Sequence, residues 1–464
     1  MLRAFLAAAF CFPSVVAAQT VRGDSAFAAF ERFAGAFLAE HKVPGAAIAI
    51  VRNDSIVFAK GFGVTSMDSG APVGPETLFQ LGSASKMFTA ALIAELVAQG
   101  KLDVRAPVAR YVAGLSPAIG ARTLHDLLTH SSGLKDEPGG NGSQDESALA
   151  AYARTWPDAF ALLPAGTVFS YSNQGYALAG LVGQEVTRQP FADLVQERVF
   201  QPLGMTRSTY RPRVALTFPI ASGHAVPGGG PPAGDAQVVR PFDNDTRIWP
   251  AGYAYASAHE VARFMLVMLN GGVVDGRPAL RGNTITAMTT GHVRVPNIFD
   301  GARYGYGLFV GPYRGLQSVW HDGQMTGFSS YVRMIPPRRL GVVTLLNRSG
   351  IRMERLIDAA FEALGVSAQP AAASVPAELS MDVAEMAKYV GRYENRFPVE
   401  ITLRDGKLHR GWFGQSQRIY KIGEQRFTVD STRRNRGAEF GIVPAAGDRP
   451  AYVHAALWAF VRRP

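Results

Sequence analysis

The stretch LFQLGSASKMFTAALIAELVAQ, residues 78–99, decides the fold of this 464-residue chain. The chain is predicted to become helical at about Ala84 and to leave the helix at Gly100, because glycine is favoured just past a helix end. Residues 87–97 are apolar on nearly every face of that helix. A helix without a polar face belongs in the middle of a protein, so the stretch predicts a buried central helix.

Ser83 and Lys86 stand three residues apart at the start of this predicted helix. Residues at this spacing share one helix face, so the hydroxyl of Ser83 and the ammonium of Lys86 can come within hydrogen-bond reach. The free backbone N–H groups and the positive dipole end of a helix N-terminus favour developing negative charge. An activated serine nucleophile needs this arrangement, which makes Ser83 the predicted nucleophile.

The pattern S-x-x-K does not identify a nucleophile by itself, because four-residue patterns also arise by chance. A second copy, Ser-Gly-Leu-Lys, occupies residues 132–135. A helix is predicted over residues 123–129, and Gly133 is expected to end it. The serine and the lysine of this second copy then have no common helix face, and the context favours Ser83.

Two further short patterns complete the set of candidate site residues. Tyr171-Ser172-Asn173 precedes a segment of small residues that is predicted to be helical, and His321-Asp322-Gly323 lies in a strand-like stretch. Each pattern has a counterpart near the C-terminus, at residues 393–395 and 409–411. The inference therefore depends on the order, the separation and the flanking structure of the three patterns.

In that order, Ser83-x-x-Lys86, Tyr171-x-Asn173 and His321-x-Gly323 resemble the three signature motifs of the penicillin-binding-protein and class C β-lactamase superfamily of serine hydrolases. The likeness covers roughly residues 26–364. It implies an α+β fold of the β-lactamase/transpeptidase type, in which helices flank an antiparallel sheet. Supporting stretches also resemble the superfamily: FQLG at 79–82, LLTHSSGL at 127–134 and GQMTGFS at 323–329.

The resemblance also implies a role for each motif residue. Ser83 would attack a carbonyl, and Tyr171, its pKa lowered by the ammonium of Lys86, would be the general base. Asn173 would hydrogen-bond the substrate amide and help to fix Lys86. The backbone N–H groups of Ser83 and Gln324 would hold the oxyanion. Water would then attack the acyl-enzyme, and neither a metal nor another cofactor is required.

The third motif departs from the family pattern in one respect. Many relatives carry lysine where this chain has His321, and that lysine helps to bind a substrate carboxylate. Histidine is mostly neutral at pH 7, so a fixed cation is lost. The resemblance then implies that His321, Gly323, Gln324 and Asn173 form the substrate-binding set of a peptidase or amidase for D-amino-acid-containing or small amide substrates. An esterase and a slow class C-like β-lactamase are alternatives with the same site, and a catalytically silent cell-wall-binding protein is the alternative from another class.

Composition and terminal segments predict the organisation of the chain. Arg3, a short apolar run and the small residues before position 19 predict a signal peptide over residues 1–18, hence a periplasmic or secreted protein. The catalytic domain is predicted over 19–365 and a linker rich in Ala, Pro and Ser over 366–380. Short strand candidates after it, starting at Tyr389-Val390-Gly391-Arg392-Tyr393, resemble the lipocalin-like domain appended to some members of the superfamily, and predict a small β-barrel over 381–464.

The overall balance of residues limits the partners. Hydrophobic residues make up 47% and charged residues 18%, which excludes disorder throughout. The net charge is +10, but the basic residues are scattered, so nucleic acid is not an expected partner. No stretch after the signal peptide is long enough for a membrane anchor. A small-molecule or peptide substrate is the expected partner, and a homo-oligomer remains open.

Overall fold

The computed structural model describes residues 25–137, 139–229, 234–296, 301–367, 375–433, 435, 438–447 and 449–463. The predicted signal peptide lies outside these residues, and the predicted linker lies partly outside them. Among the described residues, no helix has both the length and the apolar character needed to cross a bilayer.

The described helices are mostly short, and the longest ones lie in the first two thirds of the chain. They are α1 (Ser25–Glu40), α2 (Lys86–Ala98), α3 (Pro117–Gly120), α4 (Leu124–Leu128), α5 (Ala148–Ala153), α6 (Asn173–Thr187), α7 (Phe191–Val195), α8 (Pro212–Ala215), α9 (Ala258–Leu269), α10 (Gly282–Thr289), α11 (Glu354–Ala363) and α12 (Val383–Tyr389).

The described strands form two large antiparallel sheets and three small ribbons. They are β1 (Gly45–Arg52), β2 (Ser55–Gly63), β3 (Leu78–Gln80), β4 (His224–Ala225), β5 (Gln237–Val238), β6 (Tyr255–Ser257), β7 (Val273–Val274), β8 (Arg277–Pro278), β9 (Val293–Arg294), β10 (Arg303–Tyr304), β11 (Phe309–Tyr313), β12 (Leu316–Met325), β13 (Phe328–Ile335), β14 (Leu340–Leu346), β15 (Gly391–Glu394), β16 (Pro398–Arg404), β17 (Lys407–Trp412), β18 (Gln415–Arg418), β19 (Tyr420–Lys421), β20 (Arg426–Thr428), β21 (Glu439–Val443), β22 (Tyr452–Ala455) and β23 (Trp458–Arg462).

The first large sheet has the strand order β2-β1-β14-β13-β12-β11-β10-β9 and is covered by helices on both faces. Strand β1 shows how the layers form, because successive side chains of a strand point to opposite faces. Ala46, Ile48 and Ile50 pack in a cluster with α1 and α11. Ala47 and Ala49 pack in the larger cluster that contains α2, α6 and α9. The sheet is therefore a buried middle layer, and the predicted α+β fold is confirmed.

Helix α2 is the central helix that the sequence predicted. All its residues from Lys86 to Leu96 are buried. The helix begins two residues later than predicted, since residues Gly82–Ser85 form a 3-10 turn before it. Ser83 therefore lies in this turn, where its backbone N–H is outside the regular helical ladder.

The second large sheet contains nine strands in the order β18-β17-β16-β15-β23-β22-β21-β20-β19 and curls into a nearly closed barrel, as predicted. The turn between β16 and β17 uses Asp405 and Gly406, both with positive φ, as expected for a tight hairpin. Two elements were not predicted. Helix α12 packs Met386 and Tyr389 into the barrel core, and β21 lies between β20 and β22. Strands β22 and β23 form a hairpin.

The barrel docks on the α+β domain at the segment that carries the second motif. The backbone N–H of Tyr171 donates to the carbonyl of Leu457 over 2.8 Å. The hydroxyl of Ser170 accepts a hydrogen bond of 3.1 Å from the backbone N–H of Ala459. The buried ring of His454 bonds the carbonyl of Phe169. The hairpin β22–β23 thus runs along residues 169–171.

Candidate active site

Two glycines bring strand β12 against the turn that holds Ser83. Gly82 has φ +53°, a conformation that side-chain-bearing residues rarely adopt, and a Cβ there would lie 3.0 Å from the backbone nitrogen of Gln324. A Cβ on Gly323 would lie 2.0 Å from the carbonyl oxygen of Leu81. Both positions need glycine because the two backbones nearly touch. The backbone N–H of Gln324 consequently lies beside the turn that holds Ser83. This is the place that the family resemblance implies for the second oxyanion donor.

Lys86 is fully buried, and three polar groups surround its amine. The Nζ atom donates to Oδ1 of Asn173 at 2.7 Å and to the carbonyl of Ala251 at 2.6 Å, and it lies 3.3 Å from Oγ of Ser83. Burial lowers the pKa of Lys86 to about 7. With this pKa a substantial fraction of the amine is neutral near pH 7, and the neutral form has a lone pair that can accept the proton of the Ser83 hydroxyl.

Tyr171 lies next to Lys86, as the resemblance implied, but its pKa differs from the prediction. Its ring faces Lys86, with Nζ 4.7 Å from the ring centre, and it stacks on His130 at 4.0 Å between ring centres. Burial raises the pKa of Tyr171 well above its ordinary value, and the nearby Ser83 hydroxyl lowers it by less. The prediction of a lowered Tyr171 pKa is wrong, because enclosure by aromatic rings removes the water that would stabilise a phenolate. The group whose pKa falls is Lys86.

Asn173 is the first residue of α6, and its backbone and side chain have different partners. The side chain accepts from Lys86, while the backbone N–H donates to Oδ1 of Asp136 at 2.8 Å. Ser172 caps the helix by accepting from the backbone N–H of Gly175. The predicted helix thus begins inside the second motif, and its N-terminus holds the amide that contacts Lys86.

His321 is buried, with both ring nitrogens engaged inside the protein. Its Nδ1 bonds the carbonyl of Asp322 at 2.6 Å and must donate, so Nε2 accepts from the hydroxyl of Tyr304 at 3.0 Å. Burial lowers the pKa of His321 to about 3, so the ring is neutral at physiological pH. Neither ring nitrogen is free for a substrate. A substrate contact by His321 would use the ring face, and its predicted role stays a prediction.

The side chain of Gln324 is hydrogen-bonded inside the protein, which leaves the backbone N–H as the group for substrate binding. The side-chain Oε1 accepts hydrogen bonds from the hydroxyl of Ser329 at 2.8 Å and from the backbone N–H of Gly350 at 3.1 Å. These bonds fix the end of β12 against the neighbouring loop. The assignment of Gln324 and Gly323 to oxyanion and substrate binding stays a prediction that this geometry accommodates.

The site also contains groups that no short motif indicated. The carbonyl of Ala251 comes from the end of a 3-10 helical segment, Thr246–Ala251, and the carboxylate of Asp136 comes from the loop after α4. The barrel adds Arg396 and Trp458, which both bond Asp136. Asp136, Ala251 and Arg396 are each separated by more than a hundred positions in the chain, so only the tertiary structure brings them together.

A cleft of about 1120 Å³ lies over Ser83. Its walls combine the three motifs with loops from the α+β domain and with the barrel. The lining includes Ser83, Tyr171, Asn173, His321 and Gln324 from the motif regions, residues 225–228, 237–240, 251–253 and 349–352 from other parts of the α+β domain, and Arg396, Leu457 and Trp458 from the barrel.

This fold and these three motifs define a class of serine hydrolases, and the comparison with known families agrees. The chain belongs to the Beta-lactamase family, whose model matches residues 30–367. It is 31% identical over 379 residues to penicillin-binding protein 4 of Amycolatopsis lactamdurans, covering 78% of this chain and 96% of that protein.

Solved structures show the same architecture. The structure of SurE superposes with a TM-score of 0.75 and 26% identity, covering 94% of this chain and 100% of that one. The D-alanine carboxypeptidase AmpC of Burkholderia cenocepacia gives a TM-score of 0.60 and 25% identity, covering 74% of this chain and 99% of that one. The high coverage by SurE includes the C-terminal barrel.

Proposed function

We propose that this protein is an exported serine hydrolase that forms an acyl-enzyme at Ser83 and acts as a peptidase or amidohydrolase on D-amino-acid-containing or small amide substrates. The observation that carries the proposal is the buried amine of Lys86, 3.3 Å from Oγ of Ser83 and with a pKa near 7. A base with a pKa near the working pH is efficient in proton transfer.

In the first half-reaction, the neutral amine of Lys86 takes the proton of the Ser83 hydroxyl while Oγ bonds the substrate carbonyl carbon. The carbonyl oxygen becomes an oxyanion, which the backbone N–H groups of Ser83 and Gln324 stabilise. The bond to the leaving amine then breaks, and that nitrogen receives the proton that Lys86 had taken. The Tyr171 hydroxyl, buried beside Ser83 and protonated at neutral pH, passes this proton along.

In the second half-reaction, water attacks the carbonyl carbon of the acyl-enzyme. One proton of the water goes to Lys86 as the new carbon–oxygen bond forms. The bond to Oγ then breaks, the carboxylic acid leaves, and Ser83 recovers its proton. The net reaction consumes one water and produces an acid and an amine, and it uses only side chains and backbone groups of the chain.

The nature of the third motif supports an amide substrate over a β-lactam. His321 carries no charge, and its nitrogens are engaged by Tyr304 and Asp322. A β-lactam carboxylate therefore lacks the cation that lysine provides in many relatives. The neighbour named D-alanine carboxypeptidase supports a substrate that contains a D-residue. An esterase with the same site is the second candidate, because an ester needs less help in expelling its leaving group.

The substrate class is tested by comparing p-nitrophenyl esters, the D- and L-alanyl p-nitroanilides and nitrocefin with wild type and Ser83→Ala. We expect the D-anilide to be hydrolysed at least about tenfold faster than its L-enantiomer, and nitrocefin slowly. Rapid ester cleavage without anilide cleavage would make the protein an esterase, and fast nitrocefin turnover would make it a β-lactamase. If no substrate turns over and Ser83 resists a fluorophosphonate, the silent binding protein is the better description.

The pH dependence of acylation follows from Lys86. Below its pKa of about 7 the amine is protonated and cannot accept the serine proton, so the rate is expected to fall about tenfold per pH unit and to level off above that pKa. His321, with a pKa of about 3, stays neutral in this range. The measurement is the second-order rate of fluorophosphonate labelling at constant ionic strength. A midpoint close to the ordinary tyrosine pKa or above it would instead assign the base role to Tyr171.

A further inference from the structure

A buried carboxylate, that of Asp136, joins the second motif to the C-terminal barrel. Its side chain has no exposed surface. Oδ1 accepts from the backbone N–H of Asn173 at 2.8 Å. Oδ2 accepts from Nη1 of Arg396 at 2.7 Å and from Nε1 of Trp458 at 2.9 Å. One oxygen therefore faces the catalytic helix α6, and the other faces the barrel.

The barrel contacts are specific and surround this carboxylate. The backbone N–H of Asp136 itself donates to Oδ1 of Asn395 at 2.9 Å. The Nδ2 of Asn395 donates to the carbonyl of Ala459, which ties the connection between β15 and β16 to β23. Arg396 also lies over the ring of Trp458, 5.4 Å from its centre. A carboxylate without exposed surface is stable only when it is paired and hydrogen-bonded, and both the cation and the indole N–H come from the barrel.

We propose that the barrel is an integral part of the catalytic site and that Asp136 is a positioning residue, held by Arg396 and Trp458, which fixes Asn173 and through it the amine of Lys86. This inference rests on the proposed function, because it concerns the same nucleophile and base. It gives the barrel a catalytic task rather than that of a separate wall-binding module. The chain of contacts runs from the barrel to Asp136, from its Oδ1 to Asn173, and from Oδ1 of Asn173 to Lys86.

The charges around Lys86 affect its pKa, so the contribution of Asp136 and Arg396 can be measured from the pH dependence of labelling. Asp136 and Asp322 raise the pKa of Lys86, and Arg396 lowers it. Two histidines, His130 and His321, also face the amine, but burial lowers both of their pKa values and keeps them neutral near pH 7. The remaining neighbours are the rings of Tyr171 and Tyr176, which are protonated there because burial raises their pKa values.

Removal of Asp136 and removal of Arg396 should therefore shift the midpoint of the pH profile of labelling in opposite directions. Arg396→Gln leaves the carboxylate uncompensated, so the midpoint should rise by about one pH unit, as expected for a nearby charge. Asp136→Asn leaves the guanidinium uncompensated, so the midpoint should fall by about one pH unit. The limiting rate should drop about tenfold, because a side-chain amide has one acceptor oxygen for the three donors of Asn173, Arg396 and Trp458. Loss of structure alone would not produce shifts of opposite sign.

The experiment measures fluorophosphonate labelling of Ser83 against pH in the full-length protein, with melting temperatures as a folding check. Arg396→Lys keeps the charge and should restore a midpoint near that of wild type. Arg392→Gln is the matched control, because it removes an arginine of an exposed barrel ion pair with Glu394, and its profile should equal that of wild type.

The outcomes separate the two proposals. If wild type is not labelled at Ser83, the proposed function fails. If wild type is labelled and Arg396→Gln has the midpoint and the limiting rate of wild type, the positioning role is wrong and the barrel is an appendage. If Asp136→Asn does not fold, Arg396→Gln and Arg396→Lys decide the question, since the arginine is partly exposed and its change leaves the rest of the carboxylate's hydrogen bonds in place.

Discussion

Replacement of Ser83 by alanine is expected to abolish fluorophosphonate labelling and to lower turnover of the best substrate by about 10⁴- to 10⁶-fold, as is typical of a lost catalytic nucleophile. Alanine has no oxygen to bond the substrate carbonyl carbon, so no acyl-enzyme forms. The backbone N–H groups and the cleft stay in place, and they account for any residual rate over water. Intact-mass analysis after labelling, combined with initial-rate assays, checks this.

The matched control is Ser132→Ala, in the second S-x-x-K copy of the chain. The Oγ atom of Ser132 is buried, and among the described residues its one hydrogen bond is a long contact of 3.4 Å with the backbone N–H of Leu134. Its removal should leave labelling within about twofold of wild type. Labelling that persists in Ser83→Ala, or that disappears in a folded Ser132→Ala, would place the nucleophile elsewhere.

Replacement of Lys86 by methionine is the second large change, with an expected loss of about 10³- to 10⁴-fold in the labelling rate, the range for a missing general base. Methionine fits the enclosed site because it is apolar and unbranched. It leaves the Ser83 hydroxyl without a proton acceptor, and it leaves Asn173 Oδ1 and the Ala251 carbonyl without their donor. The pH dependence near 7 should disappear together with the rate, since the titrating group is gone.

Lys135→Met controls for the removal of a lysine near the same region. Lys135 is partly exposed and pairs with Glu137 at 3.1 Å, and exposed pairs contribute little. The labelling rate of the Lys135→Met variant should stay close to that of wild type. A folded Lys86→Met variant that is labelled at the wild-type rate would show that another group, with Tyr171 as the nearest candidate, removes the serine proton.

Local patterns account for several elements of the α+β domain. The hairpin β1–β2 and helix α1 consist of runs of apolar residues, and α4, which was predicted over residues 123–129, has a capping box of Thr123 and Asp126. The pair Ser257 and Glu260 is only half a capping box. Ser257 accepts from the backbone N–H of Glu260, but the carboxylate of Glu260 bonds Ser208 and the backbone of Arg207 instead. The carboxylate of Glu260 therefore bonds residues that are distant in the chain and not the backbone at the start of its own helix.

The candidate site shows where sequence reasoning stops. The spacing of Ser83 and Lys86 placed the two side chains together, because three residues span about one turn of helix. The predicted direction of the Tyr171 pKa shift was wrong, since the sequence shows a nearby cation but not the enclosing rings of His130 and Trp458. Those rings make burial the larger effect. Asp136 was not noticed at all, because its partners lie at the far end of the chain.

The sequence by itself determined the central helix, the proximity of Ser83 and Lys86, the antiparallel sheet and the presence of a C-terminal barrel. Each of these follows from periodicity or spacing over a few residues, or from a resemblance between short motifs. Only the tertiary structure decided that the pKa of the Lys86 amine is lowered, that the Ala251 carbonyl accepts a hydrogen bond from it, and which residues the barrel contacts. Solvent exclusion and contacts between distant segments set these properties, since a pKa depends on everything that surrounds a group and not on its neighbours in the chain.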